Sequence, residues 1–276
     1  MTKTVQGLDG LRQLRSLTPA RIGLSRAGSS IATREVLKFD RDHARARDAV
    51  HLPFDAKGVA NQLAARGIRT VLVQSAAADR SIYLQRPDLG RRLDERSRRR
   101  LESHRTDSHR QADIAIVIAD GLSSRAIHEN AVAFLDLFLP LATARGWRWA
   151  PTTIASQARV AIADEIGEIL AVRLSVILIG ERPGLSASDS MGIYLTHGPR
   201  PGRTDAERNC ISNIRPAGLS CREAAGQLDV LIASAFAMRL SGVHLKPGSM
   251  PASLSAGVAP AKGADGEHPG VGRPSK

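Results

Sequence analysis

A chain of 276 residues with 42% hydrophobic and only 3% aromatic content can bury a sizeable core, built from Leu, Ile, Val and Ala rather than rings. No apolar run is long enough to cross a bilayer: the best, residues 131–142, is short and broken by Asp136 and Pro140. The opening residues lack the apolar stretch of a secretory signal, and two cysteines, Cys210 and Cys221, make neither a disulfide framework nor a zinc pattern. The expectation is therefore a cytoplasmic protein without a membrane span.

The net charge of +12 invites a nucleic-acid reading. Most of the arginines are spread along the chain, however. The one dense cluster, residues 91–110, mixes eight Arg with four acidic residues and has almost no aromatic side chain for base stacking. It reads as a solvated, ion-paired helix face, and no nucleic-acid partner is expected. An acidic protein partner fits the charge equally well.

In chain order, composition divides the protein into an Arg-rich N-terminal arm and helical region (1–55), an alternating strand and helix region (56–246) and a Gly/Pro-rich tail (247–276). The arm carries a helix over residues 32–50 after a flexible Ala-Gly-Ser-Ser. An amphipathic stretch at 59–66 precedes a β-branched strand at 69–75. A second apolar strand, 112–121, ends in a turn signal. The helix that follows, over 123–145, places Ile127, Ala131, Phe134, Leu135, Phe138, Leu141 and Ala142 on one face. A helix is expected over 156–170, then a third strand at 173–181. The last helix opens at Ser220 with Glu223 three residues on, a capping box. The tail has no periodic apolar residues and is expected not to fold.

Apolar strands separated by helices indicate a parallel sheet covered on both faces. The fold class is α/β: a doubly wound, mostly parallel, Rossmann-like sheet with an N-terminal helical arm. Ligands of such sheets sit beyond the carboxyl ends of the strands. Two polar, glycine-bearing turns lie there, residues 120–124 and 180–186, and together they make one candidate crevice. Within the first, Asp120 is expected to cap the following helix.

Residues 180–216 read GERPGLSASDSMGIYLTHGPRPGRTDAERNCISNIRP. Only 192–196 looks like a strand, so most of the segment is expected to be a long functional loop anchored by Ile193, Tyr194, Leu195, Ile211 and Ile214. It lacks a GxGxxG fingerprint, a P-loop and a GxSxG elbow. The DxHxxG motif of many cobalamin mutases is nearly met at Asp107-Ser108-His109, but Ala112 stands in its last position.

This segment resembles the hallmark block of the ethanolamine ammonia-lyase small subunit family. LTPARIGLSRAGSS (17–30), DHARARDAV (42–50), VIADGLSS (117–124) and ARVAIADEIGE (158–168) resemble it at their expected places, so the match runs from about residue 17 to 246. The resemblance implies an adenosylcobalamin-dependent lyase converting ethanolamine to acetaldehyde and ammonia. It also implies a large catalytic subunit as partner, with cobalamin held between the two chains and keeping its own dimethylbenzimidazole ligand. Three positions carry over as cofactor contacts: Val160, expected on a helix, Glu181 at a strand end, and Cys210 in the long loop. On chemistry alone Glu181 reads as a solvated or capping carboxylate and Val160 as core. Some family members carry a longer N-terminal extension that targets a bacterial microcompartment. The opening residues here form no convincing amphipathic helix, so a free cytoplasmic enzyme is at least as expected. The alternative is a stand-alone Rossmann-like small-ligand-binding protein or hydrolase.

Overall fold

A computed structural model describes residues 13–18, 20–105 and 112–245. The expected unfolded tail, and the Asp107-Ser108-His109 near-motif, lie outside the described residues. The Ala-Gly-Ser-Ser stretch forms a small hairpin: β1 (Arg26–Ala27) pairs antiparallel with β2 (Ser30–Ile31) across Gly28, which takes the left-handed φ of 62° that glycine accepts. Helix α1 (Thr33–His51) follows and buries Ala46 and Ala49. The chain after it is pinned by Phe54, whose ring stacks on His128 at 5.6 Å, and by the Asp55 N–H, which donates to His128 Nε2 at 3.0 Å.

The body is one six-stranded sheet in the order β3-β5-β4-β6-β7-β8. Its strands are β3 (Thr70–Gln74), β4 (Ile114–Ala119), β5 (Thr152–Ser156), β6 (Leu174–Gly180), β7 (Met191–His197) and β8 (Arg208–Ile214). β3, β5, β4 and β6 run parallel, and β7 and β8 extend the sheet antiparallel. Every residue of β4 and β6 is buried, as strands covered on both faces require.

Helices α2 (Ala56–Ala64), α5 (Ser124–Ala144) and α7 (Cys221–Met238) supply one core, with Leu63, Phe134, Phe138, Leu228 and Ile232 against Ile116, Leu178, Ile193 and Leu195. Two shorter helices, α4 (Glu95–Glu102) and α6 (Ile162–Ile169), supply the other, with Leu101 and Ile166 against Val117, Ile177 and Ile179. A further short helix, α3 (Arg80–Gln85), buries Tyr83. The arginine cluster is tied into the fold: Arg99 pairs with Glu95, Arg98 with the buried Glu165, and Arg100 donates to the Leu72 carbonyl.

The expected helix over 156–170 is a correction. Its first residue ends β5, and only Ile162–Ile169 is helical. The strand is disguised because Thr152 and Thr153 bury their hydroxyls beside Ile154, so it does not read as apolar. The turn after it places Gln157 at φ 54°, which no helix start uses. The long loop is a second correction, since residues 208–214 form the edge strand β8. The polar sequence of β8 reflects an exposed face, with Ile211 and Ile214 alone among its apolar residues buried.

The capping box at α7 is present on both sides. Ser220 Oγ accepts from the Glu223 N–H at 3.2 Å, and Glu223 Oε2 accepts from the Ser220 N–H at 3.1 Å. Ser220→Ala is expected to lower stability by about 1 kcal/mol, read as a shifted urea midpoint at unchanged slope.

Candidate functional site

The two turns at the carboxyl edge pack directly against each other at residues 121–122 and 180. Leu122 N–H donates to the Gly180 carbonyl at 2.9 Å. Gly121, at φ 55°, lies so close that a methyl there would sit 2.2 Å from that carbonyl oxygen. Ser123, not Asp120, caps α5: its Oγ accepts from the Ala126 N–H at 3.2 Å. Asp120 instead reaches across to the turn after β5, a correction to its expected capping role.

The polar site lies on one face of the sheet. Alternation along β6 puts Ile177 and Ile179 in the second core and carries Glu181 onto the same side. Glu181 Oε2 accepts from Ser190 Oγ at 2.5 Å and from the Asn213 N–H at 3.3 Å, and Oε1 accepts from Ser212 Oγ at 2.6 Å. Three donors on two oxygens leave the carboxylate about one free acceptor position. Gly192 makes room for it, since a methyl there would stand 2.8 Å from Oε1.

Next along β7 stands Tyr194, the cross-strand partner of Cys210. Burial holds the Tyr194 hydroxyl above its usual range, and Cys210 and Glu181 push it further the same way. The protein packed around the Cys210 sulfur raises the thiol, Glu181 adds to the rise, and Tyr194 opposes it. The thiol therefore stays protonated at neutral pH and is no activated nucleophile.

Val160 is not helical. It lies in the turn between β5 and α6 and packs, half-buried, against the same core as Tyr194. The structure thus places Val160, Glu181 and Cys210 on one side of the sheet, Glu181 and Cys210 beside Tyr194. At its antiparallel end this side is open: α5 and α7 pack on β7 and β8 from the other core, and Cys210 and Ser212 are exposed. β8 is also the edge strand of the sheet, its far end bridged by Leu219, whose N–H donates to the Asn213 carbonyl at 2.8 Å. Among the described residues there is no group of three or more His, Cys, Asp or Glu able to hold a metal ion.

Sequence reasoning missed Tyr194, Ser190 and Ser212 as members of the site. For Tyr194 the signal was available, since it shares the period-2 face of the expected strand with Gly192. The partners of Glu181 required the pairing of β6 with β7 and of β7 with β8.

Fold and site together define a doubly wound α/β domain whose polar site opens on the uncovered face of its antiparallel end. Residues 8–246 match the family model described as Ethanolamine ammonia-lyase light chain (EutC). The chain is 54% identical over 250 residues to the ethanolamine ammonia-lyase small subunit of Pseudomonas paraeruginosa, covering 91% of each chain. It is 53% identical over 245 residues to that of Xanthomonas campestris pv. campestris, covering 89% of this chain and 90% of the relative. Against that of Azotobacter vinelandii it is 54% identical over 235 residues, covering 85% and 87%. The chain belongs to the ethanolamine ammonia-lyase light chain family. No helix among the described residues is long and apolar enough to cross a membrane.

Proposed function

We propose that this chain is the cofactor-facing small subunit of an adenosylcobalamin-dependent ethanolamine ammonia-lyase, completed by a large catalytic subunit and supplying no catalytic residue itself. Residues 56–246 form its cofactor-contacting domain, residues 1–55 an arm, and the assembly is cytoplasmic, with a microcompartment as the alternative location. The observation that carries the reading is that Val160, Glu181 and Cys210 lie on one side of the sheet, which is open where Glu181 and Cys210 stand.

That face suits cobalamin, whose rim is rich in amide side chains. Glu181 offers its remaining acceptor position and Ser212 an exposed hydroxyl, while Val160 and Tyr194 give apolar surface. When bound, the cofactor supplies radical chemistry through its cobalt–carbon bond. The part of this chain is to hold the cofactor's periphery in place and to keep water from that side. An open face does both only when a second surface closes over it.

The direct test is reconstitution with the large subunit and adenosylcobalamin, followed by ammonia release from ethanolamine. Turnover is expected from the assembled complex and not from this chain alone. Turnover by the isolated chain, free of partner by mass spectrometry, would overturn the assignment of the active site to the other subunit. In the assembled complex, Glu181→Ala is expected to weaken cobalamin binding by roughly 1–3 kcal/mol, the cost of leaving a polar group unmatched. An unchanged affinity would remove Glu181 from the cofactor site.

A further inference from the structure

We infer that Asp120 is a positioning residue for the cofactor site, its buried carboxylate gripping the strained turn that carries Val160. This rests on the proposed reading of Val160 as a cofactor contact and adds how that contact is held. Asp120 is 1% exposed, at the carboxyl end of β4. Its Oδ2 accepts from the Gln157 N–H at 2.9 Å and its Oδ1 from the Ala158 N–H at 3.0 Å, so both oxygens are committed to successive amides of one turn. Gln157 sits at φ 54°, a left-handed conformation that a side chain bearing a Cβ adopts at a cost. Strain of this kind persists only where its surroundings enforce it.

The rest of the clamp comes from neighbouring elements. The Arg80 guanidinium stands 3.5 Å from Asp120 Oδ2 and donates to the Gly121 carbonyl at 2.8 Å and the Gln157 Oε1 at 3.4 Å. The residue before Val160 is fixed as well, Arg159 N–H donating to the Gly90 carbonyl at 2.7 Å. Val160 is thereby delivered to the core face shared with Tyr194. Burial pushes the Asp120 carboxyl up to about 6, so the buried anion opposes folding. A merely structural stop at this strand end needs no such group, because Ser123 already caps α5.

The test uses the complex assembled with the large subunit and measures adenosylcobalamin affinity by its absorbance change. Asp120→Asn keeps the shape, but its amide nitrogen must face one of the two N–H donors, so one bond of the pair is lost. Affinity is expected to fall on the order of tenfold, with turnover at saturating cofactor changed less than about twofold. Adding Gln157→Gly removes the strain the clamp opposes, so the double variant should return to within about threefold of the parent. It also serves if the single variant fails to assemble. A double variant as weak as the single, or an Asp120→Asn complex with unaltered affinity, overturns the positioning role. Val160→Ala separates the two levels. If it leaves affinity unchanged, the turn does not meet the cofactor and the underlying reading falls. If it weakens binding while Asp120→Asn does not, only the inference about Asp120 falls.

Discussion

Arg208→Met is expected to lower stability by about 3–5 kcal/mol, the penalty for breaking a buried ion pair from one side. The Arg208 side chain is 3% exposed and pairs with Asp164, itself 2% exposed, near the start of α6. It also donates to the Arg203 carbonyl at 2.9 Å and to Asp205 at 3.0 Å. Burial raises the Asp164 carboxyl above its usual range, and Arg208 is the first of the groups that pull it back. Without that guanidinium the acid rises further.

The sign of the pH dependence follows. A carboxyl raised in the folded state weakens folding as pH climbs through its folded value, and below its unfolded value the penalty is gone. The deficit of Arg208→Met should therefore shrink as pH falls from 7 toward the ordinary carboxylate range. Urea unfolding at several pH values checks this, and a deficit that grows on acidification sinks it. Pairing Arg208→Met with Asp164→Leu should recover most of the loss, because no lone charge then remains buried. The pair ties α6 to the edge strand two residues before Cys210, so the single variant should also weaken cofactor binding in the assembled complex.

Gly180→Ala is the second large effect, expected at about 3 kcal/mol. A methyl there would lie 2.1 Å from the Ser123 carbonyl oxygen and 2.5 Å from that of Asp120, both main chain and unable to rotate away. The turn before α5 must then lift from the end of β6, losing the bond from Leu122 N–H to the Gly180 carbonyl. Since Glu181 follows directly, its serine contacts should shift too. A melting temperature within about 2 °C of the parent would show that the two main chains can part at little cost.

How legible the chain was varied with how local the signal was. Helices α5 and α7 were readable, because their apolar spacing and end residues lie within one stretch of chain; Ser220 and Glu223 form the expected box. Strands β3, β4 and β6 were readable as β-branched or wholly apolar runs. β5 was hidden because its buried threonines look polar, and β8 because an edge strand keeps one face wet. The family block, running through GERPG to NCISNIRP, was readable from residue order alone, and the family model and the curated relatives support it.

By itself the sequence determined the α/β class, the core-facing helix stripes, one helix cap and the family. Those depend on periodicities and residue order that no folding is needed to see. The tertiary structure decided what the site is. It pressed the two expected ligand turns together at Gly121 and Gly180, and it turned the expected loop around Cys210 into an edge strand. It took Asp120 from its expected helix to a turn 37 residues away, and gave Glu181 its partners Ser190 and Ser212. Each of these depends on contacts between different strands or the turns at their ends, which residue order within one segment does not show. Strand order and register are settled by burying two cores at once, and that is a property of the whole sheet rather than of any segment.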